Sequence, residues 1–322
     1  MARSEIDSPI FIVGMPRSGT TLIHESFSAR DDVAWFSRPL NRMPRFPIVT
    51  AVERLGALHP SLRSTIHRSD QIGPGLRRLR RLERVRLGPT EGIHVWRHWF
   101  GREIVSDFLL GVEADESVRR GAHELVAKLQ RYQGKDRFVA KLTGPGHLTY
   151  LSSIFEDARF LHVIRDGRAV VNSLMSFPPW RDSFRVREPA WQNGVSAQRL
   201  DEWRRSGASP LTLAAIQWRT VIETIREEAE RLDADRYTEL RYEDFLADAH
   251  RRLDEISAFC GLPPGDAAHS FADRRTLRDM NYRWQRELTG REIEMIEDRV
   301  GDLLDELGYP AAVESRGSIP ER

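Results

Sequence analysis

The chain has 322 residues, 40% hydrophobic and 30% charged, a balance that fits a folded globular protein and excludes global disorder. Its 49 Lys and Arg nearly cancel 48 Asp and Glu, so the formal charge of +1 excludes a generally basic coat for nucleic acid. The single cysteine, Cys260, excludes an internal disulfide, no Cys/His set has structural-zinc spacing, and no stretch reaches the roughly 18 apolar residues of a membrane span. The polar opening Met1 to Pro9 lacks the apolar core of a secretory signal, so a cytoplasmic location is the expectation.

In chain order, Pro9-Ile-Phe-Ile-Val-Gly14 is a short β-branched run ending in glycine, the pattern of a buried parallel strand. Met15 to Thr21 follows as a turn, and Leu22 to Ala29 as a helix, opening a βα unit. Arg137 to Lys141 is a second strand and Leu148 to Phe155 a linking helix. Arg159 to Ile164 is another strand, followed by the turn Arg165 to Gly167 and a helix from Arg168 to Met175. Tyr237 to Phe245 reads as a strand, Ala247 to Cys260 as a helix stopped by Gly261, and Arg291 to Leu307 as a helix stopped by Gly308. This alternation predicts an α/β fold: one domain over residues 9–310, with a mostly parallel sheet flanked by helices and flexible tails at 1–8 and 311–322.

Two segments break the rhythm, 31–135 and 177–210, and both read as acceptor-side insertions walling a cleft. The first holds an arginine run, Arg77 to Arg86, with Leu76, Leu79 and Leu82 at helical spacing. Such a run is a solvated face, or a docking patch for an acidic acceptor or an anionic membrane surface. The second holds Trp180, Trp191 and Trp203. The stripe Trp218, Val221, Ile222, Ile225 and Leu232 is core packing, and Cys260 a small buried hydrophobe.

Gly14-Met-Pro-Arg-Ser-Gly-Thr-Thr21 lies between strand and helix, where glycines allow close backbone approach and the helix N-terminus favours an anion. Its glycines have nucleotide P-loop spacing, but Thr20 stands where that loop carries lysine, and Arg17 supplies a cation earlier. No acidic residue ends a downstream strand to hold Mg²⁺. Arg165-Asp-Gly-Arg-Ala-Val-Val-Asn-Ser173 repeats the logic: Arg165 ends its strand, and Ser173 lies about two helical turns on. Arg165 either meets an anion or pairs with Glu156 or Asp166. Two such sites on one sheet suggest a ligand with two separate phosphate groups.

These two segments resemble the 5′-phosphosulfate and 3′-phosphate motifs of sulfotransferases that use 3′-phosphoadenosine 5′-phosphosulfate (PAPS). Arg241-Tyr-Glu-Asp-Phe245, Trp284 with Leu288-Thr289, and Leu307-Gly-Tyr309 are similar to later family motifs, and Leu148 to Phe160 resembles tyrosylprotein sulfotransferases and their bacterial relatives. The resemblance implies that Arg17, Ser18, Gly19, Thr20 and Thr21 hold the 5′-phosphosulfate and that Arg165 and Ser173 grip the 3′-phosphate. It places Tyr242 along the nucleotide and Trp284 in a flap over the adenosine, and makes Lys141 a second cation for sulfuryl transfer, without a metal.

The segment in which tyrosylprotein sulfotransferases carry a glutamate base is Trp35-Phe-Ser-Arg-Pro39 here and has no acid. The base candidates are therefore His147 and Glu91, each of which otherwise reads as the cap of the helix that follows it. His94 and His98 share a helix face but have no third metal ligand. The reading is sulfuryl transfer to a hydroxyl, less readily an amine, of a small-molecule, lipid-like or carbohydrate acceptor. A P-loop kinase of a small alcohol or adenylylsulfate and an inactive nucleotide-binding scaffold stay open, and the sequence leaves the oligomeric state unassigned.

Overall fold

The structure, a computed structural model, describes residues 6–57, 87–185, 188–274 and 281–312. Five strands make one sheet: β1 (Ile10–Gly14), β2 (Val33–Trp35), β3 (Arg137–Thr143), β4 (Arg159–Ile164) and β5 (Tyr237–Arg241), in the order β2-β3-β1-β4-β5. Every pairing is parallel, with Ile12 of β1 opposite Lys141 on one side and Leu161 on the other. All carboxyl ends therefore share one edge. The chain leaves β1 for one side of the sheet and later crosses to the other, which opens a crevice at that edge.

β1 is buried along its whole length because helices cover both faces. Its period-two pleat sends Phe11 and Val13 into a cluster with Trp96, Phe138 and Trp218. Ile10 and Ile12 enter a second cluster with Ile23, Phe27 and Leu161. The helices Glu116–Gln133, Gly167–Ser176 and Pro210–Ala229 serve the first cluster, and Thr20–Ser28, Ala249–Phe259 and Asp266–Arg274 the second. Trp218, Val221, Ile222 and Ile225 are core, as their spacing predicts, and burial pushes the Cys260 thiol up to about 12.

Several elements differ from the sequence reading. β5 stops at Arg241, and the expected remainder of that strand forms the helix Tyr242–Ala247, with Glu243 and Asp244 in its first turn where the helix dipole favours acids. β3 runs on to Thr143, and the helix after β1 starts at Thr20. The segment 31–135 contributes β2 to the sheet, through Val33 opposite Arg137, and three residues are too few to show an alternation. That segment also holds the long helix Glu116–Gln133, which has local signals: Asp115 caps it, accepting from the Val118 amide at 2.9 Å, and Gly134 ends it at φ +67°. Its buried Ala122, Leu125, Val126 and Leu129 have helical spacing.

In the expected N-terminal tail, the Ser8 amide donates to Asp157 at 2.6 Å, and at the other end Ala312 is buried. The run Arg77 to Arg86 lies outside the described residues, so its expected roles lie outside them too. No helix among the described residues is long and apolar enough to cross a membrane.

The helix Val52–Ala57 carries Glu53, a buried carboxylate that accepts from the Gly88 amide at 3.2 Å and so ties down the start of the loop leading to Glu91. Burial pushes its pKa up to about 7, against opposing help from Gly88 and Arg38. A carboxyl raised in the folded state keeps its proton there after the unfolded chain has lost it, so stability falls as pH rises from about 4.5 to about 7. Glu53→Gln keeps the acceptor oxygen and removes the charge. Unfolding in urea at pH 5 and pH 8 is expected to show a variant similar to wild type at pH 5 and about 1–3 kcal/mol more stable at pH 8.

Candidate active site

The loop after β1 is shaped by two close approaches. Gly14 has φ +141°, and a Cβ there would lie 2.4 Å from the Val163 carbonyl oxygen of β4. Gly19 has φ +94°, and its Cβ would lie 2.2 Å from the Tyr242 ring. Neither position tolerates a side chain without moving backbone or ring. Between them the Ser18 amide donates to the Met15 carbonyl at 3.1 Å, and Arg17 adopts φ +74°, a left-handed conformation that costs a non-glycine residue about 1 kcal/mol or more. Ser18 is buried, and its Oγ has no partner among the described residues. The helix that begins at Thr20 has no side-chain cap and no acid in its first turn, so no carboxylate of that turn competes with an anion for its N-terminal amides.

The end of β4 meets this loop. Arg17 Nε donates to Ser173 Oγ at 2.9 Å, and Arg165 donates from one terminal nitrogen to the Arg17 carbonyl at 3.0 Å and from Nε to Asn281 Oδ1 at 2.6 Å. The Arg165 guanidinium lies 4.8 Å over the Tyr242 ring, and that of Arg17 lies 5.4 Å over Phe177. Withdrawal from water, and then the charge of Arg165, hold Arg17 below its ordinary pKa. Among the described residues neither arginine has a carboxylate partner. Asp166, a candidate partner for Arg165, instead accepts from Arg168 at 3.0 and 2.9 Å, while Arg168 also reaches Glu297 at 2.7 Å. Trp284 lies 4.4 Å beneath the Arg168 guanidinium at 2% exposure, so it braces that network and presents no open face for an adenine.

The end of β3 supplies the third group. Lys141 Nζ donates to Thr21 Oγ1 at 3.0 Å and pairs with Glu91 Oε2 at 3.1 Å. Glu91 Oε1 also accepts from the Thr143 amide at 2.8 Å and from Thr143 Oγ1 at 2.5 Å. Glu91 therefore does not cap the helix Ile93–Trp99, whose N-cap Gly92 makes no side-chain bond. His24 lies beside Lys141, and its burial, reinforced by that ammonium, pushes its pKa down to about 3, which keeps the imidazole neutral.

The two base candidates part here. His147 is fully buried at the turn before the helix Leu148–Ile154, and burial lowers its pKa to about 4 despite the facing carbonyls of Ile104 and Phe108. It does not cap that helix either: Glu228 accepts from the Leu148 and Thr149 amides at 3.0 and 3.3 Å. Only Glu91 joins Lys141. His94 and His98 have no third metal ligand among the described residues.

The donors of the three strand ends suit a ligand with separated anionic groups. Arg17, bonded to Ser173, sits with buried Ser18 and Gly19 on one loop, and Arg165, over the Tyr242 ring, is tied to the same loop through the Arg17 carbonyl. Asn281, Phe177, Thr143 and His24 also belong to the site. Asn281 and Phe177 carry no local signal, because their role comes from contacts with residues distant in sequence. Thr143 becomes visible once β3 is extended to its end, and His24 lies one helical turn beyond Thr20 and Thr21.

No curated protein matches the chain. Among solved structures it is similar to sulfotransferase STF9 from Mycobacterium avium, at 18% identity and a TM-score of 0.54, over 94% of this chain and 77% of that one. It is also similar to sulfotransferase STF1 from Mycobacterium tuberculosis H37Rv, at 20% identity and a TM-score of 0.53, over 91% and 76%. At these identities the likeness is one of fold. A family model for the sulfotransferases matches residues 9–266, most of the chain and all five strands of its sheet, and the chain belongs to the sulfotransferase family.

Proposed function

We propose that the protein transfers a sulfuryl group from PAPS to the hydroxyl of a partly apolar small molecule. The observation that carries this reading is the convergence of Arg17 and Arg165, from two strand ends and without carboxylate partners among the described residues, on one space with Ser173. Like charges held together this way are stabilised when an anion binds between them.

When bound, PAPS supplies the sulfuryl group and a phosphate leaving group. Arg17, Ser18, Gly19, Thr20 and Thr21 would hold the 5′ end of the nucleotide, and Arg165 and Ser173 the 3′-phosphate, which AMP and ATP lack. Glu91 takes the proton of the acceptor hydroxyl as the new S–O bond forms and the S–O bond to the phosphate breaks. Lys141 and Arg17 stabilise the charge that shifts onto the bridging and peripheral oxygens. Thr143 orients the Glu91 carboxylate through two hydrogen bonds. The acceptor wall is aromatic: Trp180 and Trp191 have ring centroids 5.7 Å apart, Trp191 lies against Gly144 next to Thr143, and Phe177 is 43% exposed beside Arg17.

Calorimetric titration with 3′-phosphoadenosine 5′-phosphate (PAP), AMP and ATP, with and without Mg²⁺, tests the donor. PAP is expected to bind tightly without metal and AMP weakly, whereas preference for Mg-ATP would replace the reading with a kinase. Arg165→Ala is expected to weaken PAP by roughly 10- to 100-fold and leave AMP nearly unchanged. Equal weakening of both would place Arg165 elsewhere. In single-turnover transfer to a phenol or alcohol acceptor, Arg17→Ala is expected to lower the rate by roughly 10²–10³-fold. Glu91→Gln is expected to lower it by roughly 10²–10⁴-fold with PAP affinity unchanged. A Glu91→Gln enzyme with the wild-type rate would remove that base.

A further inference from the structure

A second cationic feature lies outside the nucleotide crevice. The helices Arg38–Arg42 and Ile93–Trp99 bound an open cleft of about 700 Å³, lined by Arg42, Pro44, His94, Arg97, His98 and Arg102 among others. The walls are fastened together: the His94 amide donates to Asn41 Oδ1 at 2.8 Å, and Trp99 Nε1 donates to the Pro44 carbonyl at 2.7 Å. Val95 and Trp96 point into the core, so residues 94, 97 and 98, one turn apart, are turned outward together. Among the described residues no acid lines the cleft, and Arg42, Arg97 and Arg102 have no ion pair. Some other surface arginines are matched: Arg219 holds Glu223 and Asp302, Arg226 holds Glu239 and Glu306, and Arg251 holds Asp248 and Glu255. Exposed Arg120, Arg131, Arg205, Arg286 and Arg291 also have no ion pair among the described residues, but the cleft gathers three such arginines on one face.

The chain that continues from the cleft-lining Arg42 and Pro44 exposes apolar side chains. The chain from Arg42 runs through Met43, Phe46 and Ile48, which are 46%, 59% and 55% exposed, and these are three of the seven large hydrophobics exposed among the described residues. Buried Pro47 and Thr50 anchor the segment, with Thr50 Oγ1 donating to the Pro47 carbonyl at 2.8 Å, so the outward side chains are held in place. Unpaired cations beside protruding apolar tips match the two signals of peripheral membrane attachment, charge attraction and interfacial insertion. A soluble anion would use the arginines and leave Phe46 and Ile48 without a partner.

We propose that this face docks on an anionic phospholipid surface, with the cleft taking phosphate headgroups and Met43, Phe46 and Ile48 entering the interface. The proposal is independent of the sulfuryl donor. The full chain is sedimented with phosphatidylcholine vesicles, with and without phosphatidylglycerol, at low and high salt. The wild type is expected to sediment with the anionic vesicles only, and less at high salt. Arg97→Ala with Arg102→Ala is expected to lower the partition coefficient by roughly 25-fold, about fivefold per arginine. Phe46→Ser with Ile48→Ser is expected to lower it while keeping the salt dependence. Wild-type unfolding temperatures establish that these surface variants are folded, and Arg42→Ala serves as an independent charge variant. A wild-type chain left in the supernatant, equal sedimentation with both vesicle types, or variants that sediment like wild type would overturn the proposal. So would glycerol phosphate shielding the cleft arginines from a guanidine-modifying reagent when anionic vesicles do not.

Discussion

β1 is held between two parallel neighbours, and the chain that leaves it has almost no room. Gly14 passes so close to β4 that a single added carbon would meet the Val163 carbonyl, and its own carbonyl accepts from the Gly144 amide beyond the end of β3 at 3.0 Å. That confinement turns the backbone back on itself as a loop and delivers Thr20 to the start of a helix. It also puts the ends of β1, β3 and β4 within side-chain reach of one another. Arg17, Lys141 and Arg165 come from these three ends, and their meeting follows from parallel pairing on both sides of one strand.

Charge pairing separates the arginines that hold the fold from those left without a carboxylate among the described residues and proposed to meet the nucleotide. Arg168, buried at 1%, satisfies Asp166, Glu297 and the Pro310 carbonyl and lies over Trp284, so it fastens the C-terminal helix Gly290–Glu306 to the end of β4. A buried cation held by two carboxylates, with four of its five N–H donors engaged, costs too much to disturb to serve a substrate. Arg165, three residues earlier, makes only neutral contacts among the described residues, with Asn281, the Arg17 carbonyl and Tyr242. The motif Arg-Asp-Gly-Arg thus contains one arginine for each purpose, and Asp166 determines which is which by pairing with Arg168.

The same distinction applies to the acids and histidines near the acceptor side. Glu91 is anchored to β3 by Thr143 yet stays partly open to solvent, which suits the base proposed for it. His147, six residues beyond Lys141, turns inward through a left-handed backbone and loses contact with water. Glu53 and Glu228, both buried and both accepting backbone amides, do structural work that their sequence neighbourhoods do not advertise.

The sequence by itself determined the α/β alternation, four of the five strands, the glycine loop with Arg17, Arg165 just past the end of another strand, and Lys141 near a strand end. These features depend on short-range rules: apolar runs bounded by glycine, and anion-binding groups placed just past a strand. The tertiary structure decided what spacing cannot encode. It recruited Val33–Trp35 as a strand, turned Tyr242 into the first residue of a helix against Gly19, brought Asn281 to Arg165, and selected Glu91 over His147 as the neighbour of Lys141. Each of these depends on which side chain ends up buried and which distant partner satisfies it, and burial and pairing are properties of the packed chain as a whole.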